Sequence, residues 1–279
     1  MTETLVREIA PGVFREGSEI VFDPLKVVVE GTKRAVHLIG ETAQNRNTKF
    51  NETLIKHLHS TVMYYMPGIA GQYRGFEVVT IGGHRVANAK HIPDKMYLFG
   101  RWLEEETEAL KDRQEDLLGG LRISCEAHYG LVSPSLHPFD DGNGRVARLL
   151  SNGILMLNAH ELVFYGIKLL PIPLVRQQVP GKEDPYFDIL EQINQTKIIN
   201  PLEVYMAGLW SKNLKTMIGS FCERFRNKGK INPADQRLME KFQNRTQILD
   251  KFIEEQISGA GSVEPHIVPD YFALKHVKI

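Results

Sequence analysis

One stretch of the chain, residues 136–148, holds the side chains best suited to chemistry. It contains a histidine that can accept a proton near neutral pH, a carboxylate that can bind a divalent cation, and two arginines that can pair with phosphate oxygens. These residues are His137, either Asp140 or Asp141, and the arginines Arg145 and Arg148. Between them lie Gly142, Asn143 and Gly144, whose backbone can turn tightly with its N–H groups pointing inward. A base, a metal-binding carboxylate, an anion nest and an arginine clamp together predict transfer of a phosphoryl or nucleotidyl group.

A helical pattern begins directly after this turn. Apolar residues recur there at helix spacing, namely Val146, Leu149, Leu150, Ile154 and Leu157. The stretch is therefore predicted to be a loop that opens a helix, where unpaired N–H groups and the positive end of the helix dipole favour an anion. Two arginines in a first helical turn oppose that dipole, which indicates a negatively charged ligand nearby. The alternative is an ordinary surface turn with solvated arginines, which is the commoner role of each residue taken singly.

The stretch resembles the signature of the Fic family, His-x-Phe-x-[Asp/Glu]-Gly-Asn-Gly-Arg-x-x-Arg, and matches it at every fixed position. The resemblance implies a mainly α fold, a Fic-type helical bundle with a small β-hairpin flap. It also implies a protein adenylyltransferase, which transfers AMP from ATP to a hydroxyl side chain of a target protein. By the same resemblance His137 is the general base, Phe139 anchors the loop in the core, and Asp141 binds Mg²⁺. The residues that would bind the nucleotide phosphates are Gly142, Asn143, Gly144, Arg145 and Arg148.

Further upstream, Glu30-Gly31 resembles the end of an inhibitory pattern in Fic proteins, [Ser/Thr]-x-x-x-Glu-[Gly/Asn]. In those proteins the glutamate pairs with the second signature arginine and blocks the γ-phosphate. The resemblance therefore implies an ion pair between Glu30 and Arg148 and an autoinhibited enzyme. Lys26 departs from the pattern, which has Ser or Thr at that position. Taken alone, the valines at 27–29 are typical of a strand, and Glu30 could be an exposed residue before a turn glycine.

Two other segments resemble parts of Fic proteins that bind the substrates. Residues 76–86 have the pattern of a β-hairpin, and the resemblance implies a flap that pairs with a target segment carrying the Ser, Thr or Tyr hydroxyl. A plain surface hairpin is the alternative. Residues 183–196 form a helical pattern in which Tyr186 and Asn194 match positions of the nucleoside pocket. Core packing is the competing interpretation for Tyr186.

The pattern of elements divides the chain into three parts. Residues 1–50 form an N-terminal segment with the candidate inhibitory helix, and its first 24 residues show no clear period. Residues 51–226 form the Fic core, with helices predicted over 51–66, from 94 to 110, over 115–132, over 183–196 and over 201–225. Residues 227–279 form a helical extension and tail, which could pack on the core, form a homodimer or bind a partner.

Composition limits the function classes. Lys+Arg and Asp+Glu both number 34, so the formal net charge is +0, and a general binder of nucleic acid or membrane surfaces is not expected. Hydrophobic residues make up 42% and charged residues 24%, which is typical of a soluble globular protein. The sequence shows no signal segment and no apolar run that could span a membrane, so a cytoplasmic protein is expected. The 2 cysteines are far apart and predict neither a disulfide framework nor a zinc site.

Three other functions fit the same residues. One is removal of AMP from a modified protein, with Glu30 positioning the attacking water. Another is transfer of a different phosphate-containing group to a protein. The third belongs to another class, a non-catalytic interaction protein that keeps the anion nest as a nucleotide-binding site.

Overall fold

The computed structural model describes residues 6–10, 13–16, 19–45, 47–76, 85–113, 116–158, 185–228, 233–259 and 265–268. These residues are mainly helical, which confirms the predicted fold class. The helices are α1 (Pro24–Gln44), α2 (Glu52–Val62), α3 (Ile92–Asp112), α4 (Leu117–Val132), α5 (Asn143–Asn158), α6 (Tyr186–Thr196), α7 (Asn200–Lys228) and α8 (Pro233–Ser258). Among them no helix combines the length and the apolar content that crossing a bilayer requires.

Three short strands precede the first helix and were not expected from the sequence. They are β1 (Val6–Ala10), β2 (Val13–Glu16) and β3 (Glu19–Phe22), and they form an antiparallel sheet in chain order. Val13 pairs with Phe22 and Val6 pairs with Glu16 in the register of this sheet. The signal was present in the sequence, because short β-branched and aromatic runs alternate there with Pro-Gly and Gly-Ser pairs.

Helix α1 includes the valines at 27–29, so the segment is helical, as the resemblance implied, and the alternative of a strand is wrong. Asp23 caps the helix, and its carboxylate accepts hydrogen bonds from the backbone N–H groups of Leu25 and Lys26, both at 3.1 Å. This cap and the proline that follows it favour a helix start more strongly than three valines favour a strand. A Cβ on Gly31 would lie 2.6 Å from the carbonyl oxygen of Val62, so α1 and α2 approach each other closely at this glycine.

Two hydrophobic clusters form the core. The first includes Phe50, Ile55, Leu58, Phe99 and Leu150, and it fills the space between α1, α2, α3, α4 and α5. The second includes Leu155, Ile193, Trp210, Leu214 and Phe242, and it joins α5 to α6, α7 and α8. Helices α4 and α5 contribute to both clusters and therefore lie between them. The signature loop connects these two helices, so it emerges where the clusters meet.

The corner between α6 and α7 is held by a segment close to the C-terminus. Ile198 and Ile267 form an antiparallel bridge, and Val268 donates to the carbonyl of Lys197 at 2.8 Å. Nδ1 of His266 lies 2.9 Å from Oε1 of Glu203, a carboxylate that is buried in α7. These contacts fix the end of α6, which carries the predicted nucleoside-binding residues.

Candidate active site

A cavity of about 620 Å³ opens between the end of α4, the signature loop, the first turns of α5 and one face of α6. Its lining includes the residues predicted as base, metal ligand, phosphate clamp and nucleoside contacts. These are His137, Asp141, Gly142, Asn143, Gly144, Arg145, Arg148, Tyr186 and Asn194. Glu30, the predicted inhibitory residue, is described by the structure but does not line the cavity. The fold therefore brings together residues 137–148 and residues 186–194, which are far apart in the sequence.

The signature loop is closed by the side chain of Asn143. Its Oδ1 accepts from the N–H of Phe139 at 3.0 Å, and its Nδ2 donates to the carbonyl of Phe139 at 2.8 Å. Phe139 is fully buried and stacks on the imidazole of His59 with ring centroids 3.7 Å apart. The side-chain amide of Asn143 is used in holding the loop. The group of Asn143 that can bind an anion is therefore its backbone N–H at the start of α5.

Gly142 makes the turn into α5. Its φ of 82° lies in the left-handed region, and a Cβ here would lie 3.2 Å from the ring of His59. The carbonyl of Gly142 accepts from the N–H groups of Arg145 and Val146, both at 3.0 Å. The first N–H groups of the helix consequently point out of its end toward the cavity.

His137 stands at the other side of this loop in a strained backbone conformation, with φ of 39°. Its Nδ1 lies 3.4 Å from the carbonyl oxygen of Val132, which can only accept a hydrogen bond. The ring proton is therefore on Nδ1, and Nε2 carries the lone pair that a general base needs. Burial lowers the pKa of His137 below its usual value of 6.5, so the ring is neutral near pH 7.

Arg74 fixes the backbone of His137 from behind. It is 2% exposed, and its Nε donates to the carbonyl of His137 at 2.7 Å. The rest of its guanidinium donates to the carbonyls of Leu136, Phe76 and Ala87. Phe76 is the first residue of the predicted flap and Ala87 directly follows it, while residues 77–84 lie outside the described part of the chain. Arg74 thus joins the start of the predicted flap to the signature loop.

His59 supports the loop from α2. Its Nδ1 accepts from the N–H of Gly71 at 2.9 Å, so its proton is on Nε2, which donates to the carbonyl of Asp141 at 2.9 Å. Burial lowers the pKa of His59, which keeps the ring neutral and preserves this pattern of hydrogen bonds. His59 is fully buried, and its role in the structure is to support the signature loop.

Asp141 lies on the exposed side of the loop. Its Oδ2 accepts from Arg145 at 2.9 Å, and its side chain is 66% exposed. Among the described residues no group of three or more His, Cys, Asp and Glu side chains could hold a metal ion. A single carboxylate still fits Mg²⁺, because this ion is commonly bound by one or two carboxylates, substrate phosphates and water.

Glu30 has a different partner from the one expected. Nε of Arg34, one turn further along α1, donates to its Oε1 at 2.9 Å. Arg34 also lies over the ring of Tyr64, 4.7 Å from its centroid. The expected ion pair between Glu30 and Arg148 is not formed in the described structure. The local i,i+4 geometry of the helix explains this, since it places Arg34 within reach of Glu30 without any tertiary contact.

Two side-chain pairs between α4 and α6 lie at the end of the cavity where the nucleoside was predicted to bind. The hydroxyl of Tyr129 donates to Oδ1 of Asn194 at 2.7 Å, and the hydroxyl of Tyr186 lies 2.6 Å from Nε2 of His128. No role in the site was predicted for Tyr129, which lines the cavity, nor for four further lining residues of α6, namely Phe187, Asp188, Leu190 and Glu191. Helix spacing could have indicated Phe187 and Glu191, because positions 187, 191 and 194 share a face of α6.

Comparison with known proteins identifies the domain. Residues 49–155 match the family model described as "Fic/DOC family". The chain carries a Fic/DOC domain. The resemblance drawn from the signature is thereby confirmed, and the matched range covers α2 to α5, including the whole signature loop.

Relatives of this Fic/DOC domain include several insect proteins named "Protein adenylyltransferase Fic". The protein from Culex quinquefasciatus is 30% identical over 185 residues, which is 66% of this chain and 32% of that protein. The protein from Aedes aegypti is 26% identical over 236 residues, which is 84% of this chain and 41% of that protein. The chain thus spans well under half the length of these relatives.

A solved structure of a Fic domain containing signaling protein from Bacteroides thetaiotaomicron VPI-5482 also resembles the chain. The likeness covers 82% of this chain and 72% of that chain, with a TM-score of 0.47 and 20% sequence identity. At that TM-score it supports no argument about the site.

Proposed function

We propose that this chain is a protein adenylyltransferase, which transfers AMP from ATP to a hydroxyl side chain of a target protein. The observation that carries the proposal is that one cavity is lined by a neutral histidine, an anion nest and two arginines. The names of the insect relatives support the same activity. A binding protein would need the nest, but it would not need a buried imidazole with its lone pair on Nε2.

In the proposed reaction the acceptor hydroxyl gives its proton to Nε2 of His137. The hydroxyl oxygen forms a bond to the α-phosphorus of ATP, and the bond from that phosphorus to the oxygen bridging the β-phosphate breaks. Pyrophosphate leaves with its negative charge. His137 contributes as a positioned general base, and the carbonyl of Val132 keeps its proton on the far nitrogen.

The phosphates would be held by the start of α5. Its first N–H groups, those of Asn143 and Gly144, supply neutral donors, and Arg145 and Arg148 supply charged ones. Asp141 would hold Mg²⁺ together with phosphate oxygens, and the bound ion would neutralise charge on the departing pyrophosphate. In this state Arg145 would exchange its contact with Asp141, now 2.9 Å, for a phosphate.

The target would dock on the flap, residues 76–86, as an added strand that presents a Ser, Thr or Tyr hydroxyl. Arg74 supports this proposal, because it holds both Phe76 and Ala87 beside the backbone of His137. The position of a docked strand would thereby be tied to the position of the base.

Incubation with ATP labelled at the α- or the γ-phosphate tests the proposed reaction. We expect label from the α-position, on the chain itself or on proteins added to it, and we expect it to disappear when EDTA removes Mg²⁺. Label from the γ-position would instead mean phosphoryl transfer. If ATP binds but neither label is transferred, the chain is a nucleotide-binding interaction protein or removes AMP.

We further propose that Glu30 restrains this activity, by leaving Arg34 and pairing with Arg148 in an inhibited state. Its half-buried position on α1, a helix that packs against both α2 and α5, supports the proposal. In Glu30→Gly no carboxylate would compete with the γ-phosphate for Arg148. We therefore expect the transfer of label from the α-phosphate to rise by about 10-fold or more.

The matched control for this prediction is Glu41→Gly, which places the same helix-weakening residue at an exposed position of α1. Labelling by Glu41→Gly should equal that of the wild type. Equal labelling by both variants and the wild type would contradict the inhibitory role and leave Glu30 as a surface partner of Arg34.

A further inference from the structure

The guanidinium of Arg145 contacts two residues that directly follow α2. Its Nη2 lies 3.1 Å from Sδ of Met63, and its Nη1 lies 3.4 Å from the hydroxyl oxygen of Tyr65. Nη2 also donates to Oδ2 of Asp141 at 2.9 Å. Arg145 lines the cavity, and its side chain is only 20% exposed, so these acceptors fix the position of a positive charge at the candidate active site.

The contact between Arg145 and Tyr65 has one possible direction. An arginine can only donate hydrogen bonds, so the oxygen of Tyr65 is the acceptor. The hydroxyl of Tyr65 in turn donates to Sδ of Met63, which lies 3.9 Å away. The half-buried ring of Tyr65 also meets the ring of Tyr64 edge to face, with centroids 5.8 Å apart and planes at 84°. The acceptor for Arg145 is therefore in place without a ligand.

Met63 connects this contact to the anion nest. It is fully buried in the first hydrophobic cluster, and a Cβ on Gly142 would lie 3.3 Å from its Sδ. The same sulfur thus lies against the turn into α5 and accepts from Arg145. The guanidinium and the backbone of the nest are supported by one segment, the two turns of chain around the end of α2.

The acceptors around Arg145 differ in charge. Asp141 carries a negative charge, whereas the phenol of Tyr65 and the thioether of Met63 are neutral. A carboxylate competes with a phosphate for the charge of a guanidinium. A neutral acceptor fixes the direction of the guanidinium and leaves that charge available. If a phosphate replaces Asp141, the contacts with Tyr65 and Met63 can remain.

We propose that Tyr65 is a positioning residue for ATP, which holds the guanidinium of Arg145 toward the phosphates through a neutral hydrogen bond. Tyr65 acts through Arg145 and is not one of the residues that line the cavity. It also lies outside the signature, on a different helix-to-loop connection. The inference rests on the proposed function, since it assumes that Arg145 binds a phosphate of ATP.

Calorimetric binding of ATP with Mg²⁺ tests the proposal, in a His137→Ala background that keeps ATP intact. Tyr65→Phe retains the ring and its packing and removes only the hydroxyl. We expect ATP to bind about 5-fold more weakly, because the lost hydrogen bond has a charged donor but is long.

Tyr64→Phe is the matched control for this variant. It removes a hydroxyl from the preceding residue, whose ring faces Arg34 with 4.7 Å between the guanidinium carbon and the ring centroid. The affinity for ATP should stay within about twofold of that of His137→Ala alone, as for a substitution away from the site.

A double-mutant cycle assigns the loss to Arg145. Arg145→Met removes the charge and the donors that Tyr65 holds. In that background Tyr65→Phe should change the affinity for ATP by less than about twofold, because the interaction that it removes is already absent. A tyrosine that served packing alone would show the same loss with and without Arg145.

Three results would overturn the inference. They are an affinity for ATP that is unchanged in Tyr65→Phe, an equal loss in Tyr64→Phe, and a loss that persists in Arg145→Met. Each is measured on a chain that binds ATP, so the proposed function would stand. If His137→Ala alone binds no ATP, the inference and the proposed function both fail. If Arg145→Met does not fold or binds no ATP, Tyr65→Phe and Tyr64→Phe decide the outcome.

Discussion

Replacing His137 with alanine should lower the rate of AMP transfer by about 10²- to 10⁴-fold, the range that a positioned general base contributes. ATP affinity should change little, because the phosphates are expected to meet the start of α5 and its arginines rather than the imidazole. The measurement is α-label transfer under saturating ATP, together with calorimetric ATP binding. His57→Ala is the matched control, since His57 is exposed on α2 and should have no effect on either quantity.

The pH dependence of the same reaction follows from the lowered pKa of His137. The base must be neutral, so activity should fall on the acid side with a midpoint below 6.5, the usual value.

The stability of the folded chain should change with pH in the same direction as the activity. Because the folded-state pKa is below the unfolded value, protons bind the unfolded chain more readily, and stability declines as pH falls below the usual value. A rate that is retained by His137→Ala would contradict the assignment of the base.

Replacing Arg74 with methionine should have the second large effect, this time on both stability and rate. The side chain is buried and donates to the carbonyls of four residues, and methionine would leave those carbonyls without their donor. We expect a loss of about 3 kcal/mol or more in the free energy of unfolding. Where the variant remains folded, AMP transfer should fall about 10²-fold, because the backbone of His137 loses its support.

Urea unfolding and α-label transfer measure the two parts of this prediction. Arg101→Met serves as the control, because Arg101 lies on the exposed face of α3 and pairs only with Glu105 among the ion pairs of the described residues. Its stability should stay within about 0.5 kcal/mol of the wild type. A folded Arg74→Met variant with unchanged activity would show that the loop around His137 holds itself in place.

The sequence was sufficient to locate the part of the candidate site that consists of contiguous residues. The signature loop at 137–148 could be predicted as a base, an anion nest and a clamp because its chemistry is local, and the helix that follows has a clear apolar period. Tyr186 and Asn194 could be placed at the same site only through the resemblance to a family. The spacing of Tyr186 and Asn194 predicts a helix, but it does not predict that this helix, α6, lies against α4.

The sequence could not predict which of several possible partners a polar side chain contacts in the folded chain. Glu30 had two candidate arginines, and the one on its own helix formed the contact in the structure. Asn143 was predicted only as a phosphate-binding residue, and in the structure its side-chain amide also closes the loop through Phe139. His59 and Arg74 were visible as residue types, but their functions depend on backbone carbonyls of the signature loop, which residue patterns do not locate.

The position of the cavity between the two hydrophobic clusters has a consequence for thermodynamic linkage. The loop and the base are anchored in the first cluster by Phe139, whereas Tyr186 belongs to the second. A nucleotide that touches both sides would bind only a chain in which both clusters are assembled. At one hundred times its dissociation constant, such a ligand adds about 2.7 kcal/mol to the stability of the folded state. Binding would therefore couple the unfolding of the two clusters. A substitution that destabilises the second cluster near Trp210 would then weaken nucleotide affinity, although Trp210 does not line the cavity.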